Sequence, residues 1–88
     1  MTIGFVVLSF GKEIKMYDNL KAEMSRRKVT GMVMASVLHI THATFYHKMK
    51  GKADWTLSQM LAIQQYLNNL GNDYLTLDYL FKKNVTHQ

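Results

Sequence analysis

The sequence lacks both cysteine and proline. Without cysteine it can form neither a disulfide bond nor a thiolate metal site, which suits a reducing cytoplasm. Without proline there is no rigid linker to divide its 88 residues, so we expect one small domain with a modest core. The apolar run near the start, IGFVVL at residues 3–8, is far shorter than the ~20 residues that span a bilayer. We therefore predict a soluble, cytoplasmic protein with no membrane partner.

Acidic residues are also few, and one long stretch has none. The chain has 11 Lys and Arg against 6 Asp and Glu, a net charge of +5. Within residues 24–53 the charged side chains are Arg26, Arg27, Lys28, Lys48, Lys50 and Lys52. Such one-sided charge favours a polyanionic partner, although a simply solvated basic surface is the plainer alternative.

Apolar periodicity predicts five helices. They cover about residues 12–28, 31–38, 42–49, 56–70 and 76–81, and the first has a shorter alternative that begins at a cap on Asp18. The residues expected on the apolar sides of these helices are Ile14, Tyr17, Leu20 and Met24, then Met34, Ala35 and Leu38, then Phe45 and Met49, then Leu57, Met60, Leu61, Ile63 and Leu67, and finally Leu77, Leu80 and Phe81. Residues 1–10 are predicted as a short strand or an extended arm. We divide the chain into an extension at 1–15, a domain at 16–83 and a tail at 84–88.

Threonines mark the expected starts of the helices. The predicted N-caps are Thr30, Thr41 and Thr56, the last in a capping box with Gln59. Gly51 and Gly71 are expected to end the third and fourth helices, because glycine readily takes the left-handed backbone found there.

Several short motifs occur in a fixed order along this pattern. They are Thr30-x3-Met34-Ala35-x2-Leu38-x-Ile40-Thr41, Thr44-Phe45, Lys50-Gly51-Lys52, Thr56-Leu57-Ser58-Gln59 and Leu77-Asp78-Tyr79-Leu80-Phe81. Together they resemble the XRE, Cro and lambda-repressor-like helix-turn-helix family of phage and bacterial regulators, over about residues 16–82. The resemblance implies an all-α, five-helix domain that binds a palindromic DNA operator as a homodimer and regulates transcription.

The chain departs from the family pattern at three notable positions. Gly31 stands where the family usually has a glutamine that bonds a DNA phosphate. His39 stands where the turn usually has glycine, so we expect a left-handed backbone at a cost of about 1 kcal/mol. Gln64 replaces a small apolar residue, and the link between the last two helices is longer than usual.

The third helix has two chemically different sides. At ~100° per residue, His42, Ala43, Tyr46 and His47 share one arc, and Phe45 lies opposite. The resemblance places these four residues at the positions that read DNA bases. The side chains predicted to contact DNA phosphates are Arg26, Arg27, Thr44, Lys48, Lys50 and Lys52, and Tyr17 is a further candidate for the DNA backbone.

The sequence is also compatible with functions other than DNA binding. An antitoxin-like or other protein-interaction module of the same fold is the main alternative, with Met32, Val33 and Val37 as its contact patch. The absence of cysteine argues against a zinc site on the histidines. No pairing of nucleophile and base, glycine-rich phosphate loop or acidic cluster points to an enzyme or a cofactor. Basic charge alone does not exclude RNA, although paired helices suit the DNA major groove better.

Overall fold

The computed structural model describes residues 16–83, and within them the chain forms five α-helices and no strand. The helices are α1 (Asp18–Arg26), α2 (Gly31–Leu38), α3 (His42–Met49), α4 (Leu57–Gly71) and α5 (Leu77–Leu80). The all-α expectation therefore agrees with the described part of the chain. The predictions made for residues 1–15 and 84–88 lie outside it.

Threonine hydroxyls start four of these helices. In each case the hydroxyl accepts a hydrogen bond from the backbone N–H three residues later, and the capping residues are Thr30, Thr41, Thr56 and Thr76. Gln59 Oε1 also accepts from Thr56 N at 3.1 Å and completes the capping box. The three N-caps and the capping box predicted from sequence are confirmed. Each bond satisfies one of the backbone donors that a helix start leaves unpaired.

Two helix boundaries differ from the prediction. α1 begins at Asp18 because Tyr17 has a left-handed backbone, with φ 57°, and Lys28 leaves the helix with φ 58°. The longer helix predicted at residues 12–28 is therefore wrong within the described residues, and the shorter alternative gives the start correctly to within one residue, since the N-cap is Tyr17 and not Asp18. α4 includes Gly71, and the left-handed residue after it is Asn72, with φ 54°, a residue type that tolerates this conformation.

The other two expected left-handed positions are confirmed. His39 closes α2 with φ 59° and ψ 40°, and Gly51 follows α3 with φ 81°. The chain therefore reverses sharply between α2 and α3 without a glycine in the turn.

Every helix contributes to one core. The fully buried side chains are Leu20, Met34, Ile63, Leu67 and Leu80. Beside them, edge-to-face aromatic pairs join Tyr17, Phe45, Trp55 and Phe81, with ring centroids 5.6–6.4 Å apart. Because this cluster draws on α1, α3 and the segment after α5, it fixes α3 against the rest of the domain.

The predicted core was wrong at two positions of α4. Leu57 is 61% exposed and Leu61 is 41% exposed, although both are apolar and one turn apart. The buried side of α4 instead runs through Ile63 and Leu67, about a quarter turn or more away. The apolar periodicity located the helix correctly but predicted a wider buried side than the structure has.

Polar side chains of α4 hold the link to α5. Gln64 Nε2 donates to the Leu75 carbonyl at 2.9 Å, and Asn68 Oδ1 accepts from Leu75 N at 2.7 Å. This contact gives the unusual Gln64 a structural role. The described ends also meet, because Met16 and Lys83 form an isolated antiparallel bridge.

Candidate nucleic-acid interface

α2 and α3 cross closely at Gly31. A Cβ atom built on Gly31 would lie 3.0 Å from His42 Nε2 and 3.3 Å from Phe45 Cε2. A larger residue would displace one of these rings, so glycine here allows His42 to stand over the start of α2. The same crossing buries Ala35, which is 3% exposed. The glycine at position 31 thus has a packing reason.

The four predicted base-reading residues share the outer side of α3. His42, Ala43, Tyr46 and His47 are all exposed, and Tyr46 is 52% exposed. Phe45 is buried on the opposite side. This division leaves the outer face of α3 open to a partner while its inner face anchors it.

Thr41 and Thr44 fix the start of α3. Thr41 Oγ1 accepts from Thr44 N at 3.0 Å, and its hydroxyl donates to Thr44 Oγ1 at 2.9 Å. Thr44 is half-buried. Its hydroxyl hydrogen remains available to an acceptor at the edge of the helix.

The three predicted lysines differ in their surroundings. Lys48 Nζ donates to the Asp54 carbonyl at 2.6 Å and lies 5.7 Å from the centre of the Trp55 ring. Lys50 Nζ lies 4.8 Å above the exposed Tyr46 ring, and Lys52 is exposed. Lys48 is therefore tied to the loop after α3, whereas Lys50 remains on the outer surface.

An open groove of about 1080 Å³ separates α1 from α3. Among residues 16–83 its basic lining residues are Lys21, Lys28, His42, Lys50 and Lys52, and its one acidic lining residue is Asp18. Within residues 16–83 none of these lysines forms an ion pair with an acidic side chain. The groove therefore concentrates positive charge beside the outer face of α3.

Sequence reasoning missed Lys21 and Lys28 as candidate contacts. Lys21 stands within the mixed charges of α1, and Lys28 was grouped with its arginine neighbours without a role of its own. Helical spacing gives no signal for this pair, because Lys28 lies beyond the end of α1 with a left-handed backbone, and only the folded chain brings both lysines to the groove.

The predicted arginines do not line this groove. Arg26 and Arg27 both pair with Glu23, and Arg27 also pairs with Asp73. Arg27 Nε further donates to the Leu67 carbonyl at 3.1 Å. With only 10% of its side chain exposed, Arg27 is a structural residue, and we no longer assign it a phosphate contact. Arg26 stays 65% exposed beside its carboxylate partner.

Glu23 is the centre of this polar cluster. It is 4% exposed and accepts from Tyr79 Oη at 2.6 Å as well as from the two arginines. The Tyr79 hydrogen bond, with help from both guanidinium groups, holds the pKa of Glu23 below its ordinary value, although burial acts in the opposite direction. The same bond raises the pKa of Tyr79. Glu23 therefore remains a carboxylate at neutral pH.

Tyr17 also leaves the list of DNA contacts, because it is 3% exposed in the aromatic cluster. Burial, followed by the nearby Asp54 carboxylate, raises the pKa of the Tyr17 hydroxyl.

No group of His, Asp or Glu side chains in residues 16–83 is arranged to hold a metal ion. Among the same residues no helix has both the length and the apolar character needed to cross a membrane.

Comparisons of the chain with protein-family models, with curated proteins and with solved structures find no match. The function is therefore inferred from the arrangement of α2, α3 and the groove.

Proposed function

We propose that this protein is a sequence-specific, DNA-binding transcriptional regulator with a lambda-repressor-like helix-turn-helix fold. α2 and α3 are the paired helices, and α3 enters the major groove with His42, Ala43, Tyr46 and His47 toward the base edges. The observation that carries this proposal is the exposed outer face of α3 beside a groove of lysines that have no acidic partner within the described residues.

Each of these side chains has a defined chemical task. Imidazole nitrogens of His42 and His47 bond acceptors on guanine, and the methyl group of Ala43 packs on a thymine methyl. Tyr46 reaches a base or a phosphate. Lys50 and Lys52, with the added Lys21 and Lys28, bind phosphates and orient the protein without reading sequence. The protein acts as a homodimer on a palindromic operator, with its two α3 helices ~34 Å apart, and blocks a promoter in the cytoplasm.

The test is selection of duplex DNA from a randomised pool, followed by titrations at about 50 and 200 mM salt. We expect one enriched palindrome, bound at nanomolar concentration, with affinity that falls steeply as salt increases. His47→Ala should weaken binding to that palindrome about tenfold and leave binding to random DNA nearly unchanged. Lys82→Ala removes one charge from outside the groove and serves as the control. Weak binding that salt abolishes, with no enriched sequence, would contradict the proposal.

A second candidate function is supported by α2. Met32 is 67% exposed and Val33 is 41% exposed, as expected of a surface that binds another protein. An antitoxin-like module would copurify with a partner in a fixed ratio, and Met32→Lys would release that partner. The regulator we propose needs no such partner in order to select its palindrome.

A further inference from the structure

α4 carries no charge although one side of it faces outward. Residues 55–72 contain no Asp, Glu, Lys, Arg or His. α1, which is shorter, has four charged residues among nine. A surface helix normally places charged residues on its outer side, so the neutrality of α4 calls for a physical explanation.

Most of the exposed residues of α4 form one continuous face, apart from Leu70 and Gly71 at the end of the helix. The residues of this face are Leu57, Ser58, Leu61, Gln65 and Asn69, here called the α4 face. Leu57 and Leu61 lie one turn apart at one edge, and Gln65 and Asn69 continue along the helix at successive turns. The buried Ile63 and Leu67 lie on the other side. Two exposed leucines bordered by neutral polar groups match the composition of an interface core, where charged residues are depleted.

We infer that the α4 face pairs with the α4 face of a second copy of this chain about a two-fold axis. Near such an axis each residue meets its own copy or a close neighbour. A charged residue would meet a like charge there and repel it. Leucines instead pack on leucines, and serine, glutamine and asparagine can both donate and accept hydrogen bonds with their own copies. The α4 face thus suits an identical partner better than an acidic or a basic one.

The rest of the molecule favours the same choice. Each copy has a net charge of +5, so two copies repel one another, and the repulsion is weakest when the surfaces that meet carry no charge. The competing apolar surface on α2 begins at Thr30 and Gly31, which line the lysine groove. Pairing through α2 would bring two such grooves together, whereas α4 has no charge to oppose contact.

This inference rests on the proposed function for its biological purpose, because an operator with two half-sites needs a two-fold protein. Its test nevertheless uses no DNA. A chain that pairs through the α4 face but selects no palindrome would contradict the proposed regulatory function and leave the inferred pairing intact. A monomer that selects a half-site would contradict the pairing and leave sequence-specific DNA binding intact.

The experiment uses the absence of cysteine. Leu61→Cys places one thiol on the α4 face. Leu70→Cys places one nine residues later, on the opposite side of the same helix, because nine steps of ~100° leave a rotation of ~180° about the axis. Leu70 is 52% exposed, close to the 41% of Leu61, so the two variants are matched. After mild oxidation at about 20 μM we expect a covalent dimer of Leu61→Cys to form at least tenfold faster. Equal rates, or faster crosslinking of Met32→Cys, would overturn the assignment.

Mass measurements complete the test. Wild type should sediment as a dimer at about 100 μM, and a monomer at that concentration would overturn the inference. Leu61→Lys and Leu61→Glu should each be folded monomers by circular dichroism, and an equal mixture should recover a dimer because opposite charges then meet at the axis. If a single variant fails to fold, the cysteine pair still decides the question. A mixture that stays monomeric would count against pairing at Leu61.

Discussion

Two groups of basic residues lie in one acid-free stretch of the sequence, yet the structure uses them differently. Arg26 and Arg27 turn back onto Glu23, and Arg27 is nearly buried. Lys50 and Lys52 stay exposed on the groove beside α3, where no ion pair engages them within the described residues. The positive charge of a sequence is therefore larger than the charge it can offer to a polyanion.

Side-chain chemistry accounts for the difference. The planar guanidinium of Arg27 has enough donors to bind Glu23, Asp73 and the Leu67 carbonyl at once. Gly71 makes room for this network, because a Cβ atom there would lie 2.7 Å from Arg27 Nε. A lysine ammonium is a compact, strongly hydrated charge, which suits an exposed phosphate contact. Arg27 joins the end of α1 to α4 and to the link after it, whereas Arg26 pairs within α1, and the lysines are left for a partner.

The strongest test of the difference between the arginines and the lysines is to remove the carboxylate that pairs with the arginines. Glu23→Gln keeps the shape of the side chain but leaves the nearly buried Arg27 without its buried counter-charge, so that only the partly exposed Asp73 still pairs with it. We expect the free energy of unfolding to fall by about 2–4 kcal/mol, which corresponds to roughly 10–20 °C in melting temperature for a domain of this size. Urea and thermal unfolding measure it. Asp78→Asn, which removes an exposed carboxylate, is the control and should change stability by less than about 0.5 kcal/mol.

Acid should produce the same loss gradually. The pKa of Glu23 is lower in the folded protein than its ordinary value of 4.5, so folding favours its ionised form. Its contribution is complete above about pH 4.5 and is lost as the pH falls through the lower folded pKa. Wild type should therefore lose stability more steeply than Glu23→Gln below pH 4.5, and the two unfolding free energies should converge. A difference between them that stayed constant from pH 7 to 3 would show that Glu23 acts through its shape alone.

The lysines should show the opposite pattern. Lys50→Ala and Lys52→Ala are each expected to weaken DNA binding by roughly 3–10-fold near 100 mM salt and to reduce the salt slope by about 1, with little change in melting temperature. Arg27→Met should lower the melting temperature and leave the salt slope unchanged. Titrations at several salt concentrations, made on proteins shown to be folded, separate the two effects. A reduced salt slope for folded Arg27→Met would show that Arg27 also contacts DNA, and the proposed difference between the arginines and the lysines would be wrong.

The starts of α2, α3 and α4 were the part of the fold best predicted from sequence, because their causes are local. Thr30, Thr41 and the pair of Thr56 and Gln59 cap helices through bonds that span three residues. A short window therefore contains everything that decides them. The left-handed backbone at His39 followed in the same way from the tight turn that the resemblance implied.

The misses came from contacts between distant parts of the chain. Glu23 lies one residue before the acid-free stretch, so a window that starts at position 24 counted Arg26 and Arg27 as unpaired. Asp73 is 46 residues from Arg27, and no periodicity reveals such a pair. Leu61 failed for a related reason, since the sequence gives the apolar residues of α4 but not which of them the other helices cover.

Lys48 is the intermediate case and gives the smallest expected effect. It belongs to α3 as the DNA candidates do, yet its ammonium already donates to the Asp54 carbonyl and lies over Trp55. Lys48→Ala should lower the free energy of unfolding by about 0.5–1 kcal/mol, through loss of this hydrogen bond and the cation–π contact. DNA affinity should fall less than about threefold, because a tethered ammonium gives up part of its present contact to reach a phosphate. Paired urea melts and DNA titrations, with Lys50→Ala as the matched control, measure both. Lys48→Ala could instead weaken DNA binding as much as Lys50→Ala does. In that case a hydrogen bond to the backbone does not prevent a lysine from contacting DNA, and the functional difference is between the paired arginines and all three lysines.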